Sequence, residues 1–332
     1  MDHLQIIKQI ESKQFEKIYF LHGEEAYYID AITDAILKHA LEDHERDFNQ
    51  SIHYGKDTET LALISEAKGY PMMAERRVVV LKEAQDFKGM EDLLSYFEAP
   101  SDETVFVINY KYKTYDSRKK AMKAAAKNGL VFKSDKVPEY RLTDWISSFV
   151  KTKGFGITPK AAMLLAEFLG NDLSKIINEL DKLAILVEAG TTINEIHIEE
   201  NIGISKDFNN FELRKAVGEK HIVKANRIIN YFAENPKNNP LVMTISLLNS
   251  FFTQVLQYHG LQSKDKMSVA KGLGINPYFV GDYVTAAKNY PMRKVSQIIG
   301  LLRDADVKSK GVGANGMPQA DILKELLFKI MH

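Results

Sequence analysis

The sequence predicts an α/β domain built on a parallel sheet, followed by helices to its last residue. Three observations carry that expectation. Over roughly the first 135 residues, short runs of β-forming side chains alternate with amphipathic stretches. Beyond Tyr140 the strand signals nearly vanish, and the polar segment GISKDFNN at 203–210 divides the helical part in two.

The strand candidates are 18–21, 48–54, 77–81, 105–109 and 130–133, with helix-like stretches at 25–41, 57–68, 90–98 and 116–128 between them. Short apolar strands joined through helices imply a parallel sheet covered on both faces. Helical patterns follow at 141–152, 158–169 and 172–188, and Thr158 before Pro159 reads as a cap and first-turn pair. Residues 211–332 read as helices throughout, punctuated by NPKNNP at 235–240, GINP at 274–277 and the glycines from 311 to 316. The expected domains are 1–139 (α/β), 140–209 (small helical) and 210–332 (larger helical).

Composition narrows the function. The 332 residues include 44 basic and 44 acidic side chains and 45% hydrophobic content, enough for two or three domains. Zero net charge argues against a chain that coats nucleic acid by itself, although local patches remain open. The absence of cysteine excludes disulfides, thiolate zinc sites and cysteine nucleophiles. No run approaches the roughly 18 apolar residues of a membrane span. The opening MDHLQIIKQIESKQFEK is charged and helix-periodic, unlike a signal peptide. A cytoplasmic location is the expectation by elimination.

At residues 18–30, IYFLHGEEAYYID has the strand, glycine and helix of a phosphate loop without its chemistry. In the pattern G-x-x-x-x-G-K-[ST], glycine permits close backbone approach, and the lysine and hydroxyl serve phosphate and magnesium. Counted from Gly23, Tyr28 takes the second glycine position, Ile29 the lysine position and Asp30 the hydroxyl position. Gly311, Gly313 and Gly316 satisfy G-x-G-x-x-G, but they follow a helical stretch rather than a strand, so they read as a loop and not as a dinucleotide site. The nine histidines are scattered without metal-ligand spacing, and no G-x-S-x-G occurs.

Two stretches remain. KYKTYDSRKKAMKAAAK at 111–127 carries Lys111, Lys113, Arg118, Lys119, Lys120, Lys123 and Lys127 with two tyrosines interleaved and Asp116 as its one acid. It is either a surface that contacts phosphates or a partner, or the solvated face of an amphipathic helix. In GYPMMAERR at 69–77, the adjacent Met72 and Met73 cannot both face inward on a regular strand. After Pro71 they fall on a turn or short helix at the sheet's edge. They then form either an adaptable apolar plug or core filler, which periodicity alone favours.

Taken together, IYFLHGEEAYYID, YPMMAERRVVVLKEA, TVFVINYKYK, GNDLSKIINELDKLAIL and LLRDADVKSKG, in this order along nearly the whole chain, resemble the delta-subunit family of the bacterial replicative clamp loader (DNA polymerase III), within the AAA+ superfamily. The resemblance implies an AAA+-like parallel-sheet domain with a degenerate phosphate loop, a helical lid domain and a C-terminal helical collar domain. It implies no intrinsic enzymatic activity, no cofactor and no metal. In active relatives the loop lysine pairs with the β- and γ-phosphates and Ser or Thr holds Mg²⁺. Ile29 can do neither, and Asp30 adds repulsion beside a triphosphate unless a cation intervenes. Asn109 matches a sensor-like asparagine, while Ser174 stands where a lid of this type presents arginine.

The implied partners are the sliding clamp, the gamma/tau-type and delta-prime-type subunits of a hetero-pentamer, and primed DNA through the complex. In the mechanism the resemblance implies, ATP binding to neighbouring motor subunits frees this chain to grip and open the clamp, and hydrolysis in those neighbours releases it. The resemblance places the clamp contact at Pro71, Met72 and Met73, and leaves Arg118, Lys119, Lys120, Lys123 and Lys127 as a surface for DNA or a neighbouring subunit. Rival readings are an NTPase with unconventional phosphate ligands and a nucleic-acid-binding AAA+-like module.

Overall fold

The computed structural model describes residues 2–203, 205, 207–313 and 316–332, in two compact units that meet in sequence at 137/138. Ile204 and Lys206 of the segment expected to divide the helical domains, and Ala314 and Asn315 of the glycine stretch, lie outside the described residues.

The first unit is a five-stranded, all-parallel sheet: β1 Ile18–Gly23, β2 Gln50–Tyr54, β3 Arg77–Lys82, β4 Thr104–Lys111 and β5 Leu130–Ser134, in the order β2-β3-β4-β1-β5. All five expected strands are present. Around them lie α1 His3–Glu11, α2 Ala26–His39, α3 Arg46–Asn49, α4 Thr60–Ala67, α5 Leu94–Glu98 and α6 Lys120–Asn128. β1 runs between β4 and β5, with Leu21 level with Asn109 on one side and Phe132 on the other. Strand side chains alternate between faces. Ile18, Phe20, Val79, Leu81, Phe106 and Ile108 pack with Tyr96 and Phe97 of α5 and Ala121 and Ala125 of α6. The other face contributes Tyr19, Leu21, Val78, Val80 and Val107, all buried, and α2 packs on that sheet with α1 against it. Coverage on both faces explains why the strands read as apolar runs rather than as alternating patterns.

Several boundaries differ from expectation, among them the helix expected at 90–98, which begins at Leu94, and two have a clear local reason. The second strand starts at Gln50 rather than Phe48, because Phe48 and Asn49 complete α3. The basic helix starts at Lys120 rather than near 116, because the Asp116 carboxylate accepts the Arg118 backbone N–H at 2.9 Å and turns the chain there.

The second unit is helical: α7 Glu139–Thr152, α8 Pro159–Leu169, α9 Leu173–Leu186, α10 Glu195–Ile202, α11 Asn210–Gly218, α12 Ile222–Glu234, α13 Leu241–Gly260, α14 Lys266–Leu273, α15 Val280–Asn289, α16 Met292–Ser309 and α17 Gln319–Met331. A two-stranded pairing, β6 Gly156–Ile157 with β7 Thr192–Ile193, ties the start of α8 to the start of α10. The expected cap is present: the Thr158 hydroxyl accepts the Ala161 N–H at 3.2 Å, and Pro159 opens α8. Phe251, Phe252, Tyr283 and Tyr290 form the aromatic centre of the core from α11 to α17, where the Tyr290 hydroxyl donates to the Val217 carbonyl at 2.8 Å. Gly311 and Gly313 follow α16, as expected of a loop between helices. Among the described residues no helix is long and apolar enough to cross a membrane.

Candidate functional site

In a parallel sheet all strands point one way, so loops after strands gather at the carboxyl end and loops before strands at the amino end. The degenerate phosphate loop follows β1, at the carboxyl end. The methionine loop precedes β3, at the amino end.

At the carboxyl end each phosphate-loop position is occupied by the chain itself. Gly23 has φ +140°, and a Cβ placed there would lie 2.0 Å from the Ser134 carbonyl oxygen, so packing alone requires glycine. The Gly23 and Glu25 N–H groups donate to Lys113 and Ser134 carbonyls at 3.1 and 3.2 Å. The first turn of α2 is capped from within, since the buried Glu25 carboxylate accepts the Tyr27 N–H at 3.1 Å. That is where a bound phosphate would take its backbone donors. Tyr28 is buried with its ring 4.2 Å from that of His3 on α1, and Ile29 is fully buried. Asp30 pairs with Lys111 Nζ at 2.7 Å, while Glu83 stands 3.8 Å from the same nitrogen. The next carboxyl on that helix face, Asp34, is raised above its usual range by burial and then by the charge of Asp30. A triphosphate here would meet the carboxylates of Glu25, Asp30 and Glu83, with Lys111 already committed to the last two.

Beside the loop, burial and then the charge of Lys133 hold the His22 imidazole below its ordinary range. A neutral ring suits its hydrogen bond, in which Nδ1 accepts the Tyr115 N–H at 3.1 Å. Asn109 is fully buried, and its amide oxygen lies 3.0 Å from the Thr33 hydroxyl of α2. In the helical unit Asp172 caps α9 by accepting the Lys175 N–H at 3.1 Å, leaving Ser174 exposed at the arginine position.

At the amino end, Met72 is 55% exposed and Met73 97% exposed, with Tyr70 exposed beside them. The core-filler alternative is therefore overturned. The segment between α4 and β3 has neither strand nor helix, so the short-helix alternative also falls. It is nonetheless held by hydrogen bonds at both of its ends. The side chain of Asn49, 1% exposed, reads both polar groups of Met72: its Oδ1 accepts the Met72 N–H at 2.6 Å, and its Nδ2 donates to the Met72 carbonyl at 2.9 Å. The same Nδ2 donates to the Glu45 carbonyl at 3.0 Å. Farther along, Arg77 Nη1 donates to the Glu66 carbonyl at 2.9 Å, tying the base of the loop to the end of α4. Met73 adopts φ +54°. Sequence reasoning missed Asn49, whose partner lies 23 residues later without any periodic signal.

The basic stretch divides. Lys111 is buried and paired with Asp30, so it leaves the surface patch to which it was assigned. Arg118 is held by Asp116, and Lys119 by Glu91 at 3.4 Å. Lys120, Lys123 and Lys127 share one exposed face of α6 and have no ion-pair partner among the described residues.

Two family models match the chain, together over more than half its length: "DNA polymerase III, delta subunit" at residues 19–135, and that subunit's C-terminal domain at residues 207–326. The chain belongs to the DNA polymerase III delta subunit family. Within that family, the DNA polymerase III subunit delta of Bacillus subtilis (strain 168) is 24% identical over 331 residues, covering 96% of this chain and 94% of that protein. The solved structure of the Bacillus subtilis DNA clamp loader delta protein matches this delta-family chain with a TM-score of 0.58 at 22% identity, covering 99% of both chains. That structural likeness bears on the fold, and both matches cover nearly the whole of each chain.

Proposed function

We propose that this chain binds the sliding clamp through Met72 and Met73 and opens it for loading onto primed DNA, without hydrolysing ATP itself. The observation that carries the proposal is the pair of exposed thioethers on a hydrogen-bonded loop at the amino end of the sheet. Burying each in a hydrophobic cleft of a partner contributes roughly 1.5–3 kcal/mol. Methionine adapts to such a cleft more readily than a stiffer side chain. A chain that binds the open ring more tightly than the closed one shifts the clamp's population toward opening. The filled phosphate loop supports a passive role in which fuel is spent by neighbouring gamma/tau-type and delta-prime-type subunits of a hetero-pentamer. In this reading residues 140–209 serve as a lid and 210–332 as the chain's share of a collar.

The deciding experiment is clamp capture by the full chain with and without Met72→Ala/Met73→Ala. The double variant is expected to keep its thermal unfolding midpoint and lose capture; undiminished capture would sink the assignment. A second reading, direct DNA contact, is favoured by the unpaired face of Lys120, Lys123 and Lys127. Salt-dependent DNA binding that ignores the methionine changes would support it instead.

A further inference from the structure

We infer that Asn49 is a positioning residue that holds the methionine loop in its docking shape before any partner arrives. The inference rests on the clamp-binding reading of Met72 and Met73, and it adds the residue that presents them. A loop lacking strand and helix, with apolar side chains in water, ordinarily pays its ordering entropy at the moment of binding. Here that ordering is already made. One buried amide supplies an acceptor to the Met72 N–H and a donor to its carbonyl. A primary amide carries both functions side by side in one plane.

The remaining N–H of Asn49 is spent on the Glu45 carbonyl of the preceding turn, so the amide is itself fixed and cannot rotate away. With both backbone groups of Met72 satisfied inward, its side chain is left to water, and the next residue turns into the left-handed region with almost all of its surface free. The anchor belongs to the end of α3, which runs directly into β2 at Gln50, so the loop is referenced to the rigid sheet rather than to another loop.

The test is a double-mutant cycle on clamp affinity, measured with the full chain and purified sliding clamp by calorimetry or surface plasmon resonance. Its four proteins are the parent, Asn49→Ala, Met73→Ala and the combination. Asn49→Ala is expected to weaken binding about tenfold, the scale of re-freezing one or two residues. Combined with Met73→Ala the loss from Asn49→Ala should persist, because Met72, whose backbone Asn49 holds directly, still docks from the same loop. Amide exchange at Met72 in the free chain should accelerate in step. Should Asn49→Ala unfold the chain, Asn49→Asp serves in its place. It keeps the size and the Met72 N–H bond but sets a carboxylate against two carbonyl oxygens, and it should weaken binding likewise.

Affinity unchanged in the Asn49 variants overturns the inference, as does weakening without faster amide exchange at Met72. If Met72→Ala/Met73→Ala leaves binding intact, the premise fails as well, and that outcome is distinct from failure of the Asn49 arm alone.

Discussion

Met73 occupies a backbone conformation, φ +54°, that side chains other than glycine, asparagine and aspartate rarely adopt. Holding it there costs about 1–2 kcal/mol. Met73→Gly should relieve that strain while adding unfolded-state entropy of roughly 0.5–1 kcal/mol, so folding stability by urea titration should hold or rise slightly. The same change removes an apolar side chain, and clamp affinity should fall by about one to two powers of ten. A variant that is no less stable yet binds poorly would separate strain from contact at a single residue. The methionine pair stood out in the sequence, because two adjacent unbranched apolar residues beside a proline break strand alternation, but periodicity alone favoured core filler and only the resemblance pointed to an exposed contact. Asn49 was not legible. An isolated asparagine at the end of a short helix carries no pattern, and its role exists only once the fold brings residue 72 to it.

At the scale of elements, the helical unit contains a carboxylate with two cationic partners. Glu212 of α11, nearly buried, receives Lys160 of α8 at 2.8 Å and also the ammonium of Lys224 from α12. Burial pushes its carboxyl up, but the hydrogen bonds from Lys160 and Lys224 together outweigh burial and hold it below the usual range. A carboxyl lowered by folding contributes stability above its unfolded value near 4.3 and loses it as pH falls through the folded one. Glu212→Gln should therefore cost roughly 1–2 kcal/mol at pH 7, the lysines being partly hydrated. The gap to the parent should close as urea titrations are repeated toward pH 3; a gap independent of pH would contradict this account. Strand existence and order of type were legible because buried parallel strands announce themselves as apolar runs between helices. The α8–α11–α12 connection was not, since each of its charges reads in sequence as an ordinary solvated residue.

At the scale of the whole molecule, the two ends of the sheet carry different fates. The carboxyl end, where β1 lies between β4 and β5 and α/β sheets usually receive ligands, is closed by the chain's own side chains. The amino end offers the exposed methionines. Clamp capture should therefore be indifferent to Mg-ATP, and calorimetric titration of the chain with ATP should give no saturable heat; nucleotide-dependent capture by the isolated chain would revive the NTPase reading. The filling of the carboxyl end also resists conversion into a nucleotide site. Installing lysine at Ile29 alone would strand an ammonium among Ile32, Ile36 and the sheet. Freeing the helix start would mean evicting Glu25, and removing Asp30 would take from the buried Lys111 the nearer of its two carboxylates. Each single step toward a nucleotide site therefore runs uphill. Gly23 is needed there apart from any ligand, because a neighbouring carbonyl leaves no room for anything larger.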